Sequence, residues 1–61
     1  MTRVEARIVL GLRENDTIDK AGLDMLKNDI EQRFDKVSKG EKSKMRRELK
    51  AIAKLGADYG M

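Results

Sequence analysis

Residues 4–12 read VEARIVLGL, and their side chains alternate along the chain. One face carries Val4, Ala6, Ile8, Leu10 and Leu12, and the other carries Glu5, Arg7, Val9 and Gly11. A period of two predicts a half-buried β-strand. The rest of the chain holds no second run of this kind, so the backbone N–H and C=O groups of the strand need an outside partner. A second copy of the same chain is the simplest partner.

A helical alternative for residues 2–13 stays open. Val4, Ile8 and Leu12 follow an i, i+4 pattern that suits one face of a helix. Ala6 and Leu10 fall off that face, and the run contains β-branched residues and a glycine. The strand is therefore the favoured interpretation.

The length of the chain also favours association. Its 61 residues form one domain, 1–61, near the lower limit for independent folding. The sequence contains neither Cys nor His, which excludes disulfides and argues against a zinc site. Oligomerisation is the remaining common way to stabilise so small a domain, and it agrees with a homodimer.

Two helices are predicted after the turn at residues 13–17. The first begins between Asp16 and Asp19 and ends before Gly40, which suits the left-handed residue after a helix. Its apolar stripe comprises Leu23, Leu26, Ile30, Phe34 and Val37, and a parallel polar stripe comprises Asp24, Asn28, Glu31 and Asp35.

The second helix starts from a Ser38 or Ser43 cap and runs to about Leu55, before Gly56. Its inward residues are Met45, Leu49, Ile52, Ala53 and Leu55. The predicted fold class is α+β and mostly helical: one N-terminal strand followed by two helices. Two chains would intertwine as a homodimer around a two-stranded antiparallel ribbon.

Charge is distributed unevenly along the chain. Residues 1–13 carry three bases and one acid (+2), residues 14–35 carry three bases and seven acids (−4), and residues 36–61 carry eight bases and three acids (+5). A basic segment of this kind indicates an anionic partner such as nucleic acid. The alternative is that the acidic helix faces the basic one and neutralises it, and the sequence leaves both open.

The second helix carries the sharpest signal for binding. Lys42, Arg46, Lys50 and Lys54 repeat at intervals of four, and Lys44 and Arg47 add charge near its start. Three like-charge i, i+4 pairs cost an isolated helix about 1 kcal/mol. A compensating anion is therefore expected: a phosphate, the acids of a partner, or the acidic stripe of the first helix.

The sequence offers little for catalysis. Without His or Cys it lacks the usual general base near neutral pH and any thiol nucleophile. No hydroxyl group stands beside an evident activating base, and no glycine-rich phosphate loop is present. We therefore predict no enzyme activity, catalytic residue, metal, cofactor or small-molecule substrate. No secretory signal or membrane span is apparent, so a cytoplasmic location is expected.

Strand, helix, glycine-containing turn and helix in about 60 residues resemble the ribbon-helix-helix proteins, the Arc and MetJ type of β-ribbon DNA readers. The resemblance implies that outward strand residues read bases, which here are Arg3, Glu5 and Arg7, with Val9 beside them. It also implies that residues 38–43 and Lys44, at the start of the second helix, clamp phosphate.

The functional hypothesis is a small homodimeric DNA-binding protein, a transcriptional repressor or accessory factor. The candidate nucleic-acid-binding residues are Arg3, Glu5, Arg7, Lys42, Lys44, Arg46, Arg47, Lys50 and Lys54. The alternative is a small protein-interaction module that acts as an inhibitor or adaptor of a larger partner, as many phage-encoded proteins do. Such a module would use an exposed strand edge or dock its basic helix on an acidic surface.

Overall fold

A computed structural model describes residues 1–60, which form three helices and no strand. Helix α1 covers Arg3–Val9, α2 covers Lys20–Arg33 and α3 covers Lys39–Gly56. Short 3₁₀ turns follow α2 at Phe34–Lys36 and α3 at Ala57–Tyr59. Helix α3 lies at the centre, and both α1 and α2 pack against it.

The predicted N-terminal strand is wrong, because residues 3–9 are helical and carry a capping signal at their start. The Thr2 hydroxyl accepts a hydrogen bond from the Glu5 backbone N–H at 3.1 Å. Thr2 is the N-cap of α1 and Glu5 its third residue. This Thr-x-x-Glu spacing is that of a capping box, which favours a helix over a strand.

Helix α1 ends at a glycine with left-handed backbone geometry. Gly11 has a φ of 74°. Its N–H bonds the Ile8 carbonyl at 3.0 Å, and the Leu12 N–H bonds the Arg7 carbonyl at 2.9 Å. These two bonds make a Schellman motif, in which glycine is favoured because it has no side chain to strain.

The helical α1 removes the reason for a shared ribbon. Its backbone groups bond within the helix and its caps, so no orphan strand needs a partner chain. Of the residues predicted to point into a shared core, Ala6 is fully buried against the core, but Val4 is 67% exposed and Ile8 is 70% exposed. The two-stranded ribbon and the intertwined dimer built on it are therefore wrong. A homodimer of another kind stays a prediction.

The two later helices occupy the regions in which the sequence predicts helices. Asp19 caps α2 by accepting from the Gly22 N–H at 2.8 Å. Ser38, one of the two predicted caps, accepts from the Glu41 N–H of α3. Gly40 is not the residue after a helix: it lies in the first turn of α3, and the chain between α2 and α3 turns at Phe34–Lys36 instead.

The core lies between the three helices. Its buried side chains are Ala6, Leu23, Ile30, Met45, Ala51, Ile52 and Leu55. Partly buried apolar residues pack around them, among them Leu26, Phe34, Val37 and Leu49. Most of the predicted apolar stripes are thus inward, whereas Ala53 is exposed.

The 3₁₀ turn after α3 contacts both α1 and the loop between α1 and α2. The Tyr59 hydroxyl donates to the Ile18 carbonyl at 2.8 Å, and Arg3 pairs with Asp58. These contacts join the last 3₁₀ turn to both α1 and the start of α2. Within residues 1–60, no helix combines the length and the apolar character needed to cross a bilayer.

Candidate nucleic-acid interface

The outward side of α3 is uniformly basic. It carries six cations and no acid: Lys39, Lys42, Arg46, Arg47, Lys50 and Lys54. We call this set the basic face. The two acids of α3, Glu41 and Glu48, lie instead around a depression that Lys44 and the neighbouring Arg33 also line. The acids of α3 are thus confined to the side that also carries Lys44, and the basic face holds none.

The basic face consists of two rows along the helix. The first row is Lys42, Arg46, Lys50 and Lys54, and the second is Lys39 and Arg47, with the uncharged Ser43 between them. At 3.6 residues per turn, rows of i, i+4 residues that are offset by one position lie about a quarter of the circumference apart. From Lys39 to Lys54 the face extends about 22 Å along the helix axis, at about 1.5 Å per residue.

The basic face is not neutralised by the acidic helix. Within residues 1–60 the salt bridges are Arg3–Asp58, Lys27–Glu31 at 3.9 Å and Arg33–Asp29 at 2.7 Å. The last two are i, i+4 pairs inside α2, so part of the acidic helix is paired within itself. Of the two alternatives that the charge distribution left open, internal neutralisation is therefore not seen in the described part of the chain.

One aromatic ring holds two cations of the first row in place. The Lys42 ammonium and the Arg46 guanidinium each lie 5.6 Å from the centroid of the half-buried Phe34 ring. A cation over an aromatic face gains about 0.5–1 kcal/mol at exposed sites. The contact positions the charges but leaves them positive, so they remain available to an anion.

Two open depressions lie along the basic face. One, of about 530 Å³, is lined by Met1, Ser43, Arg46, Arg47 and Lys50. The other, of about 340 Å³, lies nearer the start of α3 and is lined by Lys39, Lys42, Ser43 and Arg46. Both combine residues of the two rows with the Ser43 hydroxyl, which can donate a hydrogen bond to an anionic oxygen.

The other predicted site residues lie elsewhere. Arg3 is paired with Asp58, and Glu5 belongs to the first turn of α1. Lys44 lies beside the acids of α3 and not on the basic face. Because residues 3–7 are helical, the base-reading role that the resemblance gave Arg3, Glu5 and Arg7 on a strand has no structural basis.

Lys39 belongs to the basic face; it lies in the range 38–43 that the resemblance implied, but it was not among the candidate nucleic-acid-binding residues. The sequence interpretation placed residues 38–41 in a connection between helices. The signal that could have found it is the Ser38-x-x-Glu41 spacing, a capping box that begins the helix at Lys39.

Arg7 stabilises the loop after α1. Its guanidinium donates to the backbone carbonyls of Arg13 and Asp16. We expect Arg7→Met, which keeps the apolar stem and removes the donors, to lower the free energy of unfolding by about 1 kcal/mol. Urea denaturation followed by circular dichroism measures this loss.

The same variant separates a structural role of Arg7 from base reading. If Arg7 has only a structural role, the affinity of the Arg7→Met variant for DNA should depend on salt concentration as that of the unmodified chain does. If the variant keeps its free energy of unfolding but discriminates less between DNA sequences, Arg7 contacts bases and the structural role is contradicted.

No family model, curated protein or solved structure matches this chain. The resemblance to ribbon-helix-helix proteins therefore rests on the sequence pattern alone, and residues 1–60 lack the strand that this pattern requires.

Proposed function

We propose that this chain is a small DNA-binding protein that binds the phosphate backbone through the basic face of α3. The observation that carries the proposal is the set of six cations on one exposed helix side, without an acid among them and without an ion pair in residues 1–60. Lysine and arginine that neutralise phosphates supply most of the affinity of sequence-independent DNA binding, because they release condensed counterions.

An anionic membrane surface is a poorer ligand for this face. A helix that lies in a membrane interface inserts its apolar side among the lipids. The apolar side of α3 is occupied, since Met45, Ile52 and Leu55 are buried in the core. Only the polar side of α3 is free, and it suits a hydrated polyanion.

An accessory role fits the geometry better than that of a sequence-reading repressor. The residues proposed to read bases are engaged elsewhere: Arg3 with Asp58, and Arg7 with two backbone carbonyls. What remains is a surface for phosphates, which position a protein but carry no sequence information. A cytoplasmic location, consistent with the absence of cysteine, is part of the proposal.

Salt dependence tests the proposed function directly. With six phosphate contacts, the affinity for a fluorescent duplex should fall roughly 10³-fold between about 50 and 200 mM salt. Fluorescence anisotropy of a mixed-sequence duplex measures the affinity at each salt concentration. A constant affinity over this range, or no binding at low salt, would contradict the proposal.

A second candidate function is a protein-interaction module, which the outer side of α1 favours. Val4 and Ile8 are one turn apart and are 67% and 70% exposed. Together with Arg7, Leu12 and Glu14 they line a depression of about 370 Å³. Adjoining apolar side chains that are exposed to solvent are a common feature of protein interaction sites. Failure to bind DNA at low salt would favour this candidate.

A further inference from the structure

We infer that the ligand of the basic face is double-stranded DNA, with α3 lying between two phosphate backbones and binding them irrespective of base sequence. This inference rests on the proposed function and names the form of nucleic acid that the face takes. Three features of the described residues carry it: the two rows of the face, the positions of the aromatic residues, and the spacing between the rows.

The two rows suit two backbones better than one. An α-helix with its side chains is about 10–12 Å across, and the major groove of B-form DNA is about 12 Å wide. A helix in or over that groove meets a phosphate backbone on each side, and the rows headed by Lys42 and Lys39 point about a quarter-turn apart. A single strand follows one line, so it neutralises one row at a time.

The basic face offers no platform for unpaired bases. Proteins that bind single strands stack bases on aromatic side chains, worth about 1–3 kcal/mol per base. The chain has one Phe and one Tyr. Phe34 is half-buried beneath Lys42 and Arg46, and the Tyr59 hydroxyl is bonded to the Ile18 carbonyl. Neither ring belongs to α3, and Tyr59, although 48% exposed, is tied by its hydroxyl to the loop before α2. The basic face itself therefore lacks the stacking platform that supplies much of the affinity for single strands.

The face also offers few base-reading side chains. The two rows are adjacent i, i+4 rows, so no third row lies between them to reach the floor of a groove. Helix α3 contains no Asn or Gln, the residues that pair with adenine. Of the two arginines that could recognise guanine, Arg46 is held over Phe34 at 5.6 Å, which leaves Arg47 alone. Four of the six cations are lysines, which act as point charges on phosphate.

The test compares one 20-base-pair DNA duplex with either of its single strands, at equal phosphate concentration in about 50 mM salt. We expect the duplex to bind about tenfold more tightly, because it presents a phosphate every 1.7 Å of axis and a single strand only half as many. Three duplexes of unrelated sequence should agree within about threefold, since backbone contacts carry no sequence information. Anisotropy of the full chain with each labelled oligonucleotide gives the affinities.

The outcomes separate this inference from the proposed function. Equal or tighter binding of the single strand would overturn the inference and leave nucleic-acid binding in place. So would a preference of more than about tenfold for one duplex, because base contacts of that strength need dedicated donors. If neither duplex nor single strand binds at low salt, both the inference and the proposed function fail.

Discussion

Replacing Arg46, Lys50 and Lys54 together by Gln is expected to reduce duplex affinity roughly 10²–10³-fold at about 0.1 M salt. Each lost phosphate contact removes about 0.9 from the slope of log affinity against log salt, so three contacts lower it by about 2.7. The change leaves the core intact, because all three side chains are exposed. Anisotropy over a salt series measures the affinity and the slope in the same experiment.

The matched control removes three charges from other surfaces. Lys20 and Lys27 lie exposed on α2, and Lys44 lies on the acidic side of α3. Their triple Gln variant has the same net charge as the interface variant, so both lose the same long-range attraction. We expect its salt slope to stay near that of the unmodified chain. Equal losses in the two variants would show that net charge alone governs binding, and the basic face would no longer be the interface.

Leu23→Ala is expected to cost about 2–5 kcal/mol of folding free energy, which is most of the stability that a domain of this size has. Leu23 is completely buried and is the largest side chain in the structure to be so. Its truncation leaves a cavity in a core of only seven buried residues. Urea denaturation followed by helical circular dichroism should show a partly or wholly unfolded chain even without denaturant.

Met25→Ala is the control for this loss. Met25 lies two residues further along the same helix and is 73% exposed. Its truncation should change the stability by no more than about 0.5 kcal/mol. A small effect at Leu23, or equal effects at the two positions, would contradict the packing of α2 against α3 described above.

The parts of the fold that could be predicted are those with long, one-sided patterns. In α2 and α3, apolar residues at steps of three and four form one buried side, which includes Leu23 and Ile30 in α2 and Ile52 in α3. Asp19 and Ser38 cap the starts of these helices. Residues 4–12 carry an i, i+4 pattern at Val4, Ile8 and Leu12, but it is short and does not mark the buried side of α1. In α1 only Ala6 is buried, whereas the apolar residues Val4 and Ile8 are exposed. The alternation of apolar and polar residues therefore does not mark a strand here. The capping box at Thr2 and the C-terminal glycine at Gly11 both indicate a helix, whereas the period of two predicts a strand.

The candidate site was predictable in part for a similar reason. The repeat of Lys42, Arg46, Lys50 and Lys54 is visible in the sequence and lies on one side of α3 as expected. The inclusion of Lys39 could have been derived from the Ser38-x-x-Glu41 spacing, whereas the exclusion of Lys44 needed the orientation of the helix. The ion pairs Lys27–Glu31 and Arg33–Asp29 within α2 depend on side-chain positions, which a count of charges along the chain does not give. The prediction that Arg3, Glu5 and Arg7 read bases depended on a strand, and Arg3–Val9 form a helix instead.

The basic face affects the folding stability of the protein when no ligand is bound. Its cations repel one another when no anion is bound, and a polyanion that binds only the folded form shifts the equilibrium towards that form by mass action. For a 61-residue chain, the proposed polyanion would act through this linkage as a bound metal does in other small domains. Molecules that leave their ligand are expected to unfold more often and to meet proteases sooner, so the amount of the protein would follow the amount of its ligand.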